Sequence, residues 1–183
     1  MFQKIIILLI IFFSAVIQVS VFPRLFPSGL SPEIVLMLVI FWTSRDGFEK
    51  TWPKAVLSGF MLDLFYFWPA GTNIIAFALV SYGVGFFARR FTISQKNMGL
   101  LVLLLLSAMG SAANSLILLI LAKIYKGLGL ELGIFLPDFW NRMIFLKILI
   151  DMLLFVMIYW PLSGLERFLS FYGKKSMQGR FFK

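Results

Sequence analysis

Apolar residues fall into six runs along this chain, separated by short connections that contain Pro, Gly and most of the charged residues. A helix needs ~20 apolar residues to cross a hydrocarbon core about 30 Å thick, and the six runs reach or approach that length. They predict membrane-spanning helices over residues 5–22, 31–44, 55–68, 74–88, 100–122 and 139–162. We expect one all-α bundle of six transmembrane helices over residues 1–163, followed by a basic, aromatic cytoplasmic tail over 164–183.

Local signals mark the ends of the predicted helices. Ser31 is a candidate N-cap for the second helix, with Pro32 at its first position. The Glu33 carboxylate then either stabilises the positive end of the helix dipole or pairs with Arg142. Gly71 lies in a tight turn between the third and fourth runs, which predicts a helical hairpin. The pattern is compatible with a hairpin that crosses the membrane fully and with one that re-enters from one side.

Composition excludes several classes of protein. The 183 residues are 61% hydrophobic and 14% charged, with a mean hydropathy of +0.95. A soluble domain has about 25% charged residues. The chain contains no cysteine and no histidine, which excludes disulfides, Cys or His metal ligands and His-dependent catalytic triads. We therefore expect an integral membrane protein that has no metal site and no cofactor. An intramembrane enzyme would have to use Asp63 or Asp151 as its acid or base, and we expect no enzyme because no nucleophile is poised beside them.

Basic residues predict the orientation of the bundle. Cytoplasmic connections of membrane proteins carry an excess of Lys and Arg. With the N-terminus inside, the cytoplasmic side receives most of the 17 Lys and Arg residues, including Arg89 and Arg90. We expect both termini in the cytoplasm. Because the topology accounts for the net charge of +9, we expect its counter-charge to be anionic lipid at the cytoplasmic face rather than nucleic acid.

Three ionisable residues lie inside apolar runs, where a charge costs about 2.5–3.5 kcal/mol at the bilayer centre. Asp63 lies about 13 Å from the cytoplasmic end of the third run, at 1.5 Å per residue. Lys147 and Asp151 share one face of the sixth helix at a comparable depth. We predict an Asp63–Lys147–Asp151 cluster that locks the third helix against the sixth. We favour this lock over a proton relay, an ion path or a ligand anchor, because intramembrane charges usually pair with one another.

The fifth predicted helix carries a row of small polar residues. Ser107, Ser111 and Ser115 are spaced four residues apart, and Asn114 lies beside them. Small residues let helices approach closely in lipid, so we interpret the row as a packing face, with a pocket lining as the alternative. Asn114 needs a hydrogen-bond partner in the membrane interior.

Residues 31–90 carry a series of motifs within the predicted helices and turns. In chain order they are Ser31-Pro32-Glu33, the charged turn near Arg45, Gly59-Phe60-Met61-Leu62-Asp63, Gly71, and Tyr82-x-x-Gly85 before Arg89-Arg90. In these features the chain resembles the rod shape-determining protein MreD family of bacterial inner-membrane proteins. The chain length and the predicted six helices also fit that family. The positions that match residue by residue are Pro32, Glu33, Gly59, Asp63 and Gly71, and family members commonly have Asp at the position of Glu33.

The resemblance implies a non-enzymatic scaffold of the cell-elongation machinery. Such a protein helps to maintain rod shape by binding the bitopic protein MreC and coordinating peptidoglycan synthesis. RodA, a class B penicillin-binding protein and the actin-like MreB are the further partners that the resemblance implies. The family is also similar to the substrate-binding S components of energy-coupling-factor vitamin transporters, which are small six-helix bundles. A vitamin-binding S component is therefore the alternative function.

Overall fold

The chain folds into helices joined by short turns. A computed structural model describes residues 2–26, 30–66, 69–91, 100–129 and 142–178, with side chains at 4–26, 30–66, 69–90, 101–129 and 145–165. Within these ranges all regular secondary structure is α-helical. The helices are α1 (Phe2–Ser20), α2 (Phe22–Leu25), α3 (Ile34–Asp46), α4 (Phe48–Tyr66), α5 (Thr72–Phe91), α6 (Leu100–Gly127) and α7 (Arg142–Gln178).

Four helical segments among the described residues are long and apolar enough to cross a membrane. They are Lys4–Leu25, Thr72–Arg90, Leu101–Gly127 and Phe145–Leu165. The prediction of an all-helical membrane protein is confirmed at this level. α3 and α4 differ from these four segments in length or in polarity. α3 has 13 residues, which span about 20 Å, and the first turns of α4 contain Glu49, Lys50 and Lys54.

α3 lies at the centre of the bundle. Its residues 35–44 are all buried, and it contacts α1, α4, α5, α6 and α7. A helix that is surrounded on all sides is apolar on all sides, which fits the uninterrupted apolar sequence of 34–42. Its last turn contains Thr43, which donates a hydrogen bond to the Val39 carbonyl oxygen and shares another with Ser81 of α5, both at 2.8 Å. The hydroxyl group of Thr43 at the C-terminal end of α3 thus has hydrogen-bond partners inside the bundle.

One end of the bundle is basic. α3 and α4 meet there at Gly47, whose φ of +79° favours glycine. Arg89, near the end of α5, pairs with Glu49 of α4 at 2.9 Å, so the C-terminal end of α5 lies beside the α3–α4 turn. Near the same turn, Lys54 pairs with Asp46 at 3.1 Å. We call this region the basic end, and define it by Arg45, Lys50, Lys54, Arg89 and Arg90.

α4 and α5 form the predicted hairpin and approach each other closely. A Cβ atom added at Gly59 would lie 2.6 Å from the backbone nitrogen of Ile74. Because that neighbour is backbone, a larger residue could fit only if the helices moved apart. Gly59 therefore permits the close contact of α4 with α5.

Several helices extend beyond the apolar runs that predicted them. α4 begins at Phe48 and includes Pro53, and α6 continues to Gly127. α7 continues through Pro161 to Gln178, which corrects the boundary expected at residue 162. The reason is that a helix keeps its backbone hydrogen bonds where its side chains become polar, whereas hydropathy follows only the apolar part. Proline removes one hydrogen bond, but its fixed φ is compatible with a helix.

The predicted tail at 164–183 is continuous with α7 as far as Gln178. α7 has 37 residues, or about 56 Å at 1.5 Å per residue, and is longer than a hydrocarbon core of about 30 Å. Residues 179–183 lie outside the described residues, as do the side chains from 166 onwards.

Candidate functional site

A network of polar side chains lies inside the bundle, at the end opposite to the basic end. Its centre is Glu33, the residue that precedes α3. Glu33 Oε1 forms an ion pair with the Lys147 ammonium of α7, and Asn114 of α6 donates from Nδ2 to Glu33 Oε2 at 2.6 Å. The Lys147 and Glu33 side chains are only 13% and 15% exposed. Glu33 therefore links α3 to two other helices through largely buried contacts.

Asp151 of α7 is the second carboxylate of this network and is fully buried. Its Oδ1 accepts the backbone N–H of Glu33 at 2.9 Å, and its Oδ2 accepts the Ser111 hydroxyl of α6 at 2.5 Å. Lys147 Nζ lies 4.0 Å from Asp151 Oδ2. The predicted proximity of Lys147 to Asp151 is therefore present, and Asp151 also joins α7 to α3 and α6.

The N-terminus of α3 is capped by side chains from other helices. The N–H groups of a first helical turn have no partner within their own helix. Besides the bond from Glu33 to Asp151, the Val35 N–H donates to Gln18 Oε1 of α1 at 2.9 Å. The Tyr66 hydroxyl at the end of α4 is hydrogen-bonded to the Gln18 side chain. The contacts thus extend to five helices.

We call this set of side chains the Glu33 network, and define it by Gln18, Glu33, Tyr66, Ser111, Asn114, Lys147 and Asp151. Regular helix geometry aligns its members on α6 and α7. Ser111 and Asn114 are three residues apart, and Lys147 and Asp151 are four apart, so each pair occupies one helix face. The face of α6 that the sequence predicts as a packing face is therefore also the polar face that meets Glu33 and α7.

The start of the second predicted helix is corrected by the structure. Pro32 is buried but lies two residues before α3, so it is not the first helical residue. Ser31 Oγ has no hydrogen-bond partner among the described residues, and therefore does not act as a cap. The Glu33 carboxylate reaches across to Lys147 instead of capping its own helix. The alternative contact with Arg142 involves a side chain outside the described residues.

Asp63 belongs to a separate polar site, at the turn between α4 and α5. Its Oδ2 accepts the Gly71 N–H at 2.8 Å, and its Oδ1 accepts the backbone and side-chain N–H groups of Asn73 at 2.9 and 2.8 Å. Gly71 has φ +108°, a conformation that favours glycine. Asp63 therefore caps the N-terminus of α5, where a carboxylate also interacts favourably with the helix dipole.

The predicted three-residue cluster is corrected accordingly. Lys147 pairs with Glu33 and Asp151, whereas the oxygens of Asp63 bond to the α5 turn. Sequence spacing gives the depth of a residue along its helix. It does not give the direction in which the side chain points around the helix axis, and that direction separates Asp63 from Lys147.

The other predicted packing positions on α6 make local contacts. Ser107 is buried and donates to the Leu104 carbonyl oxygen at 2.8 Å, and Ser115 is half-buried. A Cβ atom added at Gly110 would lie 2.5 Å from Ile40 Cδ1, so α6 approaches α3 closely at this point. This part of α6 therefore combines packing with the polar contacts of its neighbours Ser111 and Asn114.

Sequence reasoning missed Gln18 and Tyr66. Gln18 is only 3% exposed and lies in a helix that is otherwise strongly apolar. An amide in such a run needs a hydrogen-bond partner inside the protein, and this was the signal that could have found it. Tyr66 gives no comparable signal, because a tyrosine near a helix end is typical of the membrane interface.

The charges of the Glu33 network do not balance when all its groups are ionised. Two carboxylates, Glu33 and Asp151, face one ammonium, Lys147. The described residues include no group of three or more acidic side chains that could hold a metal ion. The arrangement can hold an ion pair, exchange a proton and fix five helices relative to one another.

A groove between α5 and α6 is a second feature of interest. It encloses about 90 Å³ and is almost entirely apolar. The residues that line it include Leu79, Gly83, Phe87, Met109 and Ala113. An added Cβ at Gly83 would meet no atom within 4 Å, so this glycine leaves open space on the outer surface of α5.

Comparisons of the chain with protein families, with curated proteins and with solved structures gave no match.

Proposed function

We propose that this chain is a non-enzymatic scaffold of the bacterial cell-elongation machinery, located in the inner membrane and similar to the MreD family. The observation that carries the proposal is the place of the motif residues in the fold. Glu33 joins α3 to α6 and α7, Gly59 permits the contact of α4 with α5, and Asp63 with Gly71 closes their hairpin. The residues of the resemblance thus have specific architectural roles.

We infer that the bundle crosses the membrane six times, with both termini in the cytoplasm. Successive helices that run in opposite directions through the bundle support this topology. Arg89 pairs with Glu49 at the basic end, whereas Asp63 bonds to Asn73 at the opposite end, so α4 and α5 run antiparallel. The excess of basic side chains at one end supports its assignment to the cytoplasm. Anionic lipid headgroups are the expected counter-charge there.

The scaffold binds its partners through helix faces in the lipid. The charged groups of the Glu33 network bond to one another inside the bundle, whereas the outer helix surfaces are apolar. We propose that the transmembrane helix of MreC packs along the surface of α5 and α6 at this groove. Small residues at a groove let helix backbones approach closely, and Gly83 supplies that space. RodA, the class B penicillin-binding protein and MreB join the same complex.

Mild cross-linking of the tagged protein in native membranes, followed by mass spectrometry, tests this function. We expect MreC to co-purify together with RodA and the class B penicillin-binding protein. An unrelated tagged polytopic protein, expressed at the same level, is the control for non-specific recovery. Co-purification of a paired ATPase and a coupling subunit in place of these proteins would contradict the scaffold and support a vitamin-binding S component.

A further inference from the structure

The Glu33 network has a charge that its own residues do not neutralise. Glu33 and Asp151 are acidic, and Lys147 is the cationic side chain that pairs with them. Among the residues whose side chains the structure describes, the groups that face this trio from the other helices are uncharged at neutral pH: Gln18 of α1, Tyr66 of α4, and Ser111 and Asn114 of α6. A net charge of −1 would therefore be buried among apolar helices, at a substantial cost in solvation.

A buried hydrogen-bond acceptor without a described donor lies within the Glu33 network. Asn114 is 1% exposed, and its Oδ1 has no hydrogen-bond donor among the described residues. The same amide contacts Glu33 Oε2 at 2.6 Å. In the alternative orientation of the amide, with its oxygen and nitrogen exchanged, a protonated Glu33 can donate to Asn114 Oδ1, and Nδ2 then occupies the position that has no partner among the described residues.

The second carboxylate has an equivalent contact. Ser111 Oγ and Asp151 Oδ2 are 2.5 Å apart and share one O–H···O hydrogen bond. Each carboxylate therefore has one oxygen at which a proton would be shared with a neighbouring side-chain oxygen. The other oxygen of each is already engaged, by Lys147 for Glu33 and by the Glu33 N–H for Asp151.

We propose that the Glu33 network binds one exchangeable proton, held by either Glu33 or Asp151, and that loss of this proton weakens the attachment of α7 to α3 and α6. The network is neutral with the proton bound. On release, the O–H bond of the carboxylic acid breaks, its electron pair stays on the carboxylate, and the proton passes to water at that end of the bundle. The inference does not depend on the proposed scaffold function.

A proton fits this site better than a metal cation. The Lys147 ammonium already occupies the space beside the carboxylates, and a second cation there would be repelled by it. A proton neutralises the charge without requiring additional space. It also leaves the bond from the Glu33 N–H to Asp151 intact, because that bond uses the other oxygen of Asp151.

Reversible unfolding of the purified full-length protein in mixed detergent micelles, measured against pH, tests the proposal. If the folded state binds one proton more than the unfolded state, stability falls as the pH rises. We expect the unfolding constant of the wild type to increase by up to about tenfold per pH unit. Asp151→Asn, which imitates the neutral form, should have a flatter profile. Glu49→Gln, at an exposed carboxylate of the basic end, is the matched control and should keep the wild-type profile.

Infrared spectroscopy gives a direct readout, because only a protonated carboxyl has a carboxylic C=O stretch. At neutral pH ordinary Asp and Glu side chains are ionised and give no carboxylic C=O stretch. We therefore expect a single carboxylic C=O band, from the one protonated carboxyl group in the Glu33 network. Either Asp151→Asn or Glu33→Gln should remove it, whereas Asp63→Asn should retain it. Absence of the band in the wild type, or its survival in both network variants, would overturn the proposal. A change in stability when sodium is replaced by a large organic cation at constant pH would also overturn it, in favour of a metal cation.

Discussion

At the scale of single residues, the bundle is held together by side chains that bond from one helix to the end of another. Gln18 accepts the Val35 N–H in the first turn of α3, and Asp151 accepts the N–H of the preceding Glu33. Asp63 accepts the Asn73 N–H at the start of α5. These acceptors come from neighbouring helices, so each bond both completes a helix end and fixes the position of a second helix. Within the bilayer such groups have no water as an alternative partner.

The first prediction concerns the ion pair of Lys147 with Glu33. Lys147→Met leaves the buried carboxyl groups of Glu33 and Asp151 without their cation, and we expect it to reduce the free energy of unfolding by about 3–5 kcal/mol. Combined with Glu33→Gln, it should be non-additive by about 0.5–3 kcal/mol, because the two residues share one contact. Unfolding titrations of the single and double variants in mixed micelles measure this coupling.

Asp63→Asn provides the matched control for this comparison of single and double variants. Asp63 bonds to Gly71 and Asn73 and not to Lys147, so its effect should add to that of Lys147→Met within about 0.5 kcal/mol. Strong coupling of Asp63 to Lys147, together with additivity of Glu33 and Lys147, would contradict the contacts described above.

The sequence identified many of the residues in the network but not all of their partners. Lys147, Asp151 and Asn114 stand out because a polar group in an apolar helix requires a partner. The pairing of Lys147 with Glu33 could not be derived, since Glu33 lies at the edge of an apolar run and has an ordinary interpretation as a helix-end charge. Distinguishing the two partners requires the directions of side chains around several helices, which only the packed bundle defines.

At the scale of helices, the bundle depends on a short buried helix and a tight hairpin. α3 is too short to match a hydrocarbon core of about 30 Å, but it is surrounded by five other helices. The apolar pattern predicts both the existence and the type of α3 to α7. It does not predict where α4, α6 and α7 end, because their helices continue into polar sequence with Pro53 and Pro161 inside.

The second prediction compares two glycines in the hairpin. Gly59→Ala places a Cβ 2.6 Å from the Ile74 backbone nitrogen, and we expect destabilisation of about 1–3 kcal/mol or more as α4 and α5 separate. Gly83→Ala has open space, and should stabilise α5 by up to about 1 kcal/mol through helix propensity. Thermal unfolding of the two variants beside the wild type measures the difference. Equal effects of both substitutions would refute the close contact at Gly59.

At the scale of the whole molecule, the protein is a helical bundle with polar contacts inside and an apolar outer surface. The basic end and the Glu33 network lie at opposite ends of α3. If the basic end faces the cytoplasm, the network lies in the outer half of the membrane. Composition alone was sufficient to predict the membrane environment, because 61% of the residues are hydrophobic. Which helix surface binds a partner depends on the shape of the assembled bundle. The periodicity of apolar residues in the sequence does not indicate that surface.

The third prediction tests the topology by labelling. The chain has no cysteine, so single cysteines can be introduced without removing any. Ala70→Cys, in the exposed turn between α4 and α5, should react with a membrane-impermeant maleimide added outside the cell's inner membrane. Lys50→Cys, at the basic end, should react only after permeabilisation. Protection of Ala70→Cys from outside would indicate that the hairpin does not cross fully.

We propose that this protein works as a scaffold whose partner helix packs along α5 and α6 at the groove. The most direct measurement is the amount of MreC that co-purifies with Gly83→Leu, relative to Gly164→Leu. Both glycines are helical and have open space for an added Cβ, but only Gly83 lines the groove. We predict that Gly83→Leu lowers recovery about tenfold, equivalent to ~1.4 kcal/mol, while Gly164→Leu matches the wild type. Equal recovery of MreC with both variants, at wild-type expression levels, would contradict the account.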